Sequence, residues 1–429
     1  MQSWAPDVGA ISCLGSRQVV FARPVKIRMS QPPLPQFGHA PLLVLITAML
    51  MMQPLSTDLY LASLPSLGNE FMAPVATVQL TLSLFVMGFG SAQLIVGPLS
   101  DRFGRRPILL GGLTIYLLAS AACGLSTSIQ LLIAARFVQA LGCCSAVMIA
   151  RAIVRDAYAP EHSARVIARA STWISVAPIV GPILGSFMQV TFGWRAAFVV
   201  LGLFSALVLL ACVMRLPETN EHKNPQATNL HGLMANYRLV LGSREFWIHV
   251  LPAALSYGSI FMFISGSSFV LIRILGVPVA WFGVCFGLAV SGYMTGTLVC
   301  RRLLMTISGK QALRIGTACS LAGGVYFLLA TLVGWWHWSM VVLAMFITMV
   351  AHGINFPVTQ AGAIAPFPKQ AGTAAGLMGA IMMAFAFMVG SIVGGTHNGT
   401  LYPMAILSCV ISIASFTSVR LLSPKIANP

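Results

Sequence analysis

Long apolar runs separated by short polar intervals make up most of this chain. A helix needs about 20 apolar residues to cross a bilayer, and runs of that length recur twelve times. The pattern therefore predicts an all-α integral membrane protein with twelve transmembrane helices. The predicted spans are residues 42–66, 75–99, 107–126, 129–154, 164–190, 196–215, 246–270, 279–302, 311–334, 338–360, 370–394 and 402–422.

One polar interval, residues 216–245, is longer than the others and divides the spans six and six. Two related halves of this kind are typical of secondary transporters. We therefore predict two pseudo-symmetric six-helix bundles, residues 42–215 and 246–422, joined by a cytoplasmic linker over 216–245.

The two ends of the chain are polar. Residues 1–41 contain no apolar stretch followed by a small-residue cleavage site, so we predict a disordered cytoplasmic leader rather than a signal peptide. Met29 begins a more ordinary leader, which leaves open that residues 1–28 are an upstream start. Residues 423–429 are predicted to be a cytoplasmic tail.

Composition and charge agree with a membrane protein and set its orientation. The chain is 57% hydrophobic and 8% charged, far from the quarter or so charged in soluble proteins. Its net charge of +16 is spread over short patches between apolar runs rather than over one solvated face, which argues against nucleic-acid binding.

With the N-terminus inside, all but Arg136, Arg195 and Arg273 of the 25 lysines and arginines fall on the cytoplasmic side. We expect cytoplasmic termini and a bacterial inner (plasma) membrane. Tryptophans at the predicted outer span ends are expected to be interfacial anchors: Trp194, Trp335, Trp336 and Trp338.

Residue spacings give no sign of an enzyme. The nine cysteines lie mostly inside apolar runs, and neither they nor the eight histidines show metal-ligand spacing. The H-E-x-x-H, G-x-G-x-x-G and G-x4-G-K-[ST] patterns are absent from the sequence. We predict no metal and no bound cofactor.

Asp58 is the one acidic residue that falls within a predicted span. A carboxylate at bilayer depth costs roughly 2.5–3.5 kcal/mol on insertion scales, so it is a functional candidate by default. Asp58 lies seven residues before Pro65, and Arg136 lies seven residues after Ile129. At 1.5 Å per residue both sit about 10 Å inward from the outer span ends. We predict that Asp58 and Arg136 lie at one depth and pair with each other, and any proton chemistry inside the membrane then has only this carboxylate to use. Two alternatives remain: Asp58 caps a kinked helix, or Arg136 extends outward to the interface.

The loop after the second span carries a dense motif, Gly97-Pro-Leu-Ser-Asp-Arg-Phe-Gly-Arg-Arg106. It resembles the signature loop of the major facilitator superfamily, G-x-L-x-D-[RK]-x-G-[RK]-[RK]. By that resemblance the loop is a gate that pairs with an acidic residue at the cytoplasmic end of span four, where Asp156 is available. The gating residues so implied are Gly97, Asp101, Arg102, Gly104, Arg105, Arg106 and Asp156.

Three further stretches resemble the twelve-span drug–proton antiporters of that superfamily. Leu132–Gly142 is similar to their span-four motif, which implies that Arg136 takes part in proton coupling. Asp58–Pro65 resembles the span-one pattern of the Bcr/CflA branch, with Ala62 where that branch has proline. Residues 177–185 resemble the antiporter motif of span five, which implies a bendable, closely packed helix at Pro178, Gly181, Pro182 and Gly185.

The substrate site is less clearly marked. The resemblance places cavity walls on spans one, four, seven and ten, and the candidates there are Tyr60, Gln139, Tyr257, Phe261 and Asn355. Faces of this kind also arise from ordinary helix packing. Since no acidic residue follows Glu245, neutral or zwitterionic amphiphiles are favoured over polycations.

Together these features predict a monomeric, proton-coupled antiporter that exports small amphiphilic drugs by alternating access. Its partners are then a small-molecule substrate, protons and the lipid bilayer. An exporter of an endogenous amino acid or sugar on the same fold is an alternative, and an integral membrane enzyme is a more distant one.

Overall fold

Apolar segments in lipid must satisfy every backbone polar group internally, which restricts these runs to helices. The computed structural model describes residues 39–158, 162, 166, 169, 170, 173, 174, 176–221 and 223–422, and all regular structure in them is helical. The all-α fold class is therefore confirmed. The predicted tail, and the predicted leader up to residue 38, lie outside the described residues.

The described helices follow the predicted spans closely. Their bounds are α1 His39–Asp58, α2 Leu64–Glu70, α3 Val75–Phe103, α4 Arg105–Gly124, α5 Ile129–Ala157, α6 Ala177–Phe192, α7 Arg195–Arg215, α8 Leu230–Leu241, α9 Arg244–Ser268, α10 Val279–Leu303, α11 Gly309–Leu332, α12 Trp338–Ile364, α13 Ala371–Gly395 and α14 Tyr402–Leu422.

Eleven helical stretches among the described residues are long and apolar enough to cross a membrane, so the chain is a multi-pass membrane protein. The twelfth predicted span, residues 164–190, corresponds to α6, a shorter apolar helix. The first part of that span falls largely outside the described residues.

The first predicted span is not one continuous helix. α1 ends at Asp58, Leu59 and Tyr60 form a turn, a short 3₁₀ helix covers Leu61–Ser63, and α2 then begins. Pro65 lies in the first turn of α2, where its missing N–H removes no helical bond. The break places Asp58 at a helix end inside the bundle.

Two helix pairs make the most extensive contacts between the helices before the linker and those after it. α3 packs along α13, and α6 packs along α10. Glycine makes the second contact close, because a Cβ at Gly283 would overlap the Pro182 carbonyl oxygen. The Gly283 N–H also donates to Ser186 Oγ at 3.0 Å. Division of the chain into two bundles at residues 216–245 stays a prediction.

The linker contains a helix that the sequence did not predict. α8 begins after Asn229, whose side chain accepts a hydrogen bond from the His231 N–H, and it packs against α13. The Tyr237 hydroxyl donates to the Leu94 carbonyl oxygen of α3 at 2.9 Å. The linker is thus fastened to both sets of helices.

Candidate functional site

Asp58 ends α1 with its side chain enclosed by protein, at 4% exposure. The Thr57 hydroxyl donates to Asp58 Oδ1 at 2.8 Å. From the C-terminal half, the Tyr257 hydroxyl of α9 hydrogen-bonds the Gln53 side chain and lies within electrostatic range of Asp58. Within the part of the chain that the structure describes, Asp58 has no ion-pair partner. The site therefore holds a buried carboxyl with one hydrogen-bond donor.

Two glycines of the span-five motif lie against the break in the first span. A Cβ at Gly181 would stand 3.4 Å from Asp58 Cβ, and one at Gly185 would overlap the carbonyl oxygen of Leu59. Pro178 lies in the first turn of α6, and Pro182 lies inside it. The motif thus provides the surface on which the broken segment of span one rests.

Arg136 is fully buried, about two turns after the start of α5. Its guanidinium stacks on the rings of Phe85, Tyr60 and Phe198, with centroid distances of 4.2, 4.4 and 5.7 Å. It donates to the Ser56 carbonyl oxygen at 2.9 Å and to the Thr81 carbonyl oxygen at 3.3 Å. Aromatic faces and carbonyl dipoles stabilise this cation without a carboxylate.

Arg136 and Asp58 are not joined by an ion pair in this conformation, although the sequence predicts a pair. Arg136 instead donates a hydrogen bond to the carbonyl oxygen of Ser56, two residues before Asp58. Outward extension of Arg136 to the interface is wrong, because the side chain has no exposed surface. In this conformation Arg136 therefore contacts the last turn of α1 rather than the carboxyl itself.

Two of the predicted substrate residues support Arg136 instead of facing a cavity. Gln139 Oε1 accepts from the arginine at 2.6 Å, and Gln139 Nε2 donates to Ser120 Oγ at 2.7 Å. The Tyr60 hydroxyl hydrogen-bonds Thr81 Oγ1 at 3.1 Å. Both residues are fully buried. Their hydrogen bonds are satisfied within the N-terminal half, which leaves no group for a substrate in this conformation.

Of the three candidates in the C-terminal half, Tyr257 is the one that hydrogen-bonds Gln53 of α1 and interacts electrostatically with Asp58. The Phe261 ring packs on Gly390 of α13. Asn355 is fully buried against Gly316 of α11, and its side-chain oxygen and nitrogen find no hydrogen-bond partner among the described residues. Tyr257 is therefore the candidate that the structure connects to the carboxyl.

Arg105 is the centre of the loop motif. Its Nε donates to Asp156 Oδ2 at 3.0 Å, and its Nη1 contacts both Asp101 Oδ1 and, at 2.7 Å, Ser100 Oγ. These contacts tie the ends of α3, α4 and α5 together. Arg102 and Arg106 bond other partners, the Thr228 hydroxyl and the Val213 carbonyl oxygen.

Glu218, which the sequence prediction left out of the gate, caps α4. Its carboxylate accepts from the Arg105 N–H at 2.8 Å and from the Arg106 N–H at 3.2 Å. A carboxylate at a helix N-terminus satisfies free N–H groups and is favoured by the helix dipole. The signal in the sequence was Pro217-Glu218-Thr219 directly after the sixth span.

Gly104→Ala should destabilise the protein, whereas Gly97→Ala should not. Gly104 has φ +108°, a conformation open only to glycine, and an added Cβ would overlap Glu218 Oε2. Such backbone strain costs about 1–3 kcal/mol. At Gly97 an added Cβ meets no atom of the described residues within 4 Å. Apparent melting temperatures of the purified variants measure the difference, and equal values would contradict it.

The opposite end of the bundle is closed by Arg273, to which the sequence analysis gave no role. Its Nη2 donates to the Pro65 carbonyl oxygen and, at 2.7 Å, to Asn69 Oδ1. Deeper in, Gln79 Nε2 donates to the Ser265 carbonyl oxygen at 3.3 Å. These bonds join helices of the two halves. We call the two bonds from Arg273, to Pro65 and Asn69, the Arg273 clamp. Arg273 could be singled out from sequence only as an arginine outside the cytoplasmic patches.

Arg273→Gln should loosen this closed end. A hydrogen bond from a charged donor contributes about 1.5–3 kcal/mol, so amide exchange in Leu64–Glu70 and Phe269–Ile274 should accelerate roughly tenfold or more. Hydrogen exchange with mass spectrometry measures this. Arg195→Gln is the control, because Arg195 pairs with Glu70 inside the N-terminal half at 2.7 Å. Unchanged exchange at Phe269–Ile274 in Arg273→Gln would contradict the clamp.

The prediction that Trp194 is an interfacial anchor is wrong. Trp194 is 3% exposed, because its ring packs edge-on against Phe71 and Phe198 while its indole N–H donates to Glu70. The other three predicted anchors, Trp335, Trp336 and Trp338, are exposed.

Known proteins share sequence and fold with this chain. The sequence profile described as Major Facilitator Superfamily matches residues 46–419. The chain is 29% identical over 367 residues to a "Bicyclomycin resistance protein homolog" of Haemophilus influenzae, covering 84% of this chain and 91% of that protein. It is 30% identical over 345 residues to a "Chloramphenicol resistance protein" of Pseudomonas aeruginosa, covering 79% and 80%. The solved structure of a D-xylose–proton symporter superposes with a TM-score of 0.69 at 15% identity, covering 89% and 96%.

Proposed function

The chain belongs to the Major Facilitator Superfamily and is a transporter rather than an enzyme, and from this premise we propose that it is a proton-coupled antiporter exporting small amphiphilic drugs. The relatives named for bicyclomycin and chloramphenicol resistance support the drug class. No bound cofactor takes part in this scheme, because the proton gradient drives transport.

The observation that carries proton coupling is the isolation of Asp58. Its carboxyl is buried at a helix end, with Thr57 as hydrogen-bond donor and no ion-pair partner among the described residues. A buried charge without a partner is costly, so the charge state of Asp58 depends on whether water reaches it. A conformational change that wets or dries this position therefore couples to proton uptake and release.

Asp58 is also placed to pass that change on to other helices. Gly181 of α6 leaves room for an added methyl group next to it, and Tyr257 of α9 lies within electrostatic range of it from the other half. Arg136 holds the Ser56 carbonyl oxygen and so fixes the last turn of α1. In our scheme, loss or gain of the proton alters these contacts at the junction of spans one, five and seven.

The scheme requires an orientation. We propose that the termini and the Arg105 cluster face the cytoplasm of a bacterial cell, because the lysines and arginines concentrate on that side. The Arg273 clamp then closes the outer end. We also propose that one chain is the transporting unit, since both halves of the site lie within it.

Drug-dependent proton movement in vesicles tests the proposal. Everted vesicles from a bacterial host lacking its own exporters are energised to an acidic interior, and a phenicol-like neutral drug is added. The expected result is a partial collapse of the pH gradient that vesicles without the protein do not show. If no tested drug moves protons while amino acids or sugars do, export of an endogenous metabolite on the same fold replaces drug export.

A further inference from the structure

A cavity of about 480 Å³ lies at the Arg105 end of the bundle. Helices α3 and α5 of the N-terminal half, α13 of the C-terminal half and the linker enclose it. Its size is in the range of pockets that hold small organic molecules. We call it the vestibule and define it by Asp101, Arg151, Arg155, Tyr237 and Lys369.

The vestibule is cationic. Arg105, Arg151, Arg155 and Lys369 line it, and Asp101 is the one acidic residue among the described residues that do so. Asp101 is engaged, because its carboxylate pairs with Arg105. The three other cations have no ion pair within the described part of the chain. Among the described residues, the cavity therefore holds positive charge from both halves that no carboxylate neutralises.

Membrane orientation alone does not explain this placement. The positive-inside rule is satisfied by cations that point to lipid headgroups or to open water, whereas these line a cavity between the halves. Arg151 and Arg155 are four residues apart on α5, so they share one helical face. Like charges at that spacing repel each other, and an anion between them would remove the repulsion.

We propose that the vestibule binds the anionic group of an amphiphilic substrate bearing a single carboxylate. Two guanidinium groups on one helical face suit a carboxylate, which accepts paired N–H bonds. Lys369 reaches the same cavity from the short 3₁₀ helix Pro368–Gln370, directly before α13, so a bound anion is contacted by both halves at once. This inference rests on the proposed export function and extends it from neutral amphiphiles to acidic ones.

Equilibrium dialysis with matched probes tests the vestibule. Naphthalene-2-carboxylate and the uncharged naphthalene-2-carboxamide differ in charge but hardly in size, and each is measured against the purified full chain at fixed ionic strength. We expect the carboxylate to bind about tenfold more tightly, a ratio that corresponds to about 1.4 kcal/mol. Arg151→Gln and Lys369→Gln should each reduce the ratio to roughly twofold or less.

Arg302→Gln is the matched control. It removes an exposed cation near the end of α10 that does not line the vestibule, and the ratio should stay near tenfold. A wild-type ratio near one, binding of neither probe, or an equal fall in Arg302→Gln would overturn the proposal. Failure of the export function would show separately, as wild-type protein that drives no gradient-dependent transport of a neutral drug.

Discussion

Asp58→Asn should reduce pH-gradient-driven transport to the level of vesicles without the protein, while the amount of protein in the membrane stays unchanged. Asparagine has nearly the same shape, and its side-chain oxygen still accepts the hydrogen bond from Thr57. It cannot take up or release a proton at this position. The substitution therefore removes coupling and leaves the packing at the end of α1 intact.

Two measurements in the same vesicles make this result specific. Exchange of labelled for unlabelled drug without a pH gradient should persist in Asp58→Asn, because exchange needs conformational change but no net proton movement. Glu70→Gln is the control, since Glu70 is a surface carboxylate paired with Arg195 and should remain coupled. Undiminished gradient-driven transport in Asp58→Asn would end the proposal that Asp58 carries the proton.

Gly185→Ala should be the most damaging of the small substitutions in the span-five motif. An added methyl group would overlap the carbonyl oxygen and carbon of Leu59. These are backbone atoms in the broken part of span one, so they cannot move aside as a flexible side chain does. Overpacking costs typically 1–3 kcal/mol, and here it acts at the residue next to Asp58. We expect at least about a tenfold loss of transport, which corresponds to 1.4 kcal/mol.

Gly181→Ala provides the comparison within the same motif. Its added Cβ would lie 3.4 Å from Asp58 Cβ, an ordinary contact distance. The apparent melting temperature of Gly181→Ala should therefore stay close to that of the wild-type protein, while that of Gly185→Ala falls. If both variants have the same apparent melting temperature, Gly185 is not needed for close packing of α6 on Leu59.

The sequence was sufficient for the fold class because apolar run length alone specifies membrane helices. The resemblance of the loop to the superfamily signature also singled out the residues that meet at Arg105, namely Asp101, Arg105 and Asp156. Asp58 stood out from the sequence itself, as a charge where the surrounding residues are apolar.

The contacts of Arg136 could not be read from the sequence in the same way. Matching depths placed it level with Asp58, but depth says nothing about the direction in which a long side chain turns. Tyr60, Phe85 and Phe198 surround it from the turn after α1, from α3 and from α7. Apolar runs are full of such aromatic residues, so no local pattern distinguishes the ones that form a cage. The Glu218 cap and the Arg273 clamp depend in the same way on contacts between distant segments.

The absence of a carboxylate beside Arg136, within the described residues, has a consequence for how the protein responds to salt. Dissolved ions screen charges that water can reach, over about 8 Å at physiological ionic strength, but act weakly on buried ones. The Arg136 cation is fully buried and held by carbonyl dipoles and rings, whereas the Asp101 carboxylate at the loop is half-exposed. Rising ionic strength should therefore weaken the ion pair between Asp101 and Arg105 first and leave the hydrogen bonds of Arg136 nearly unaffected.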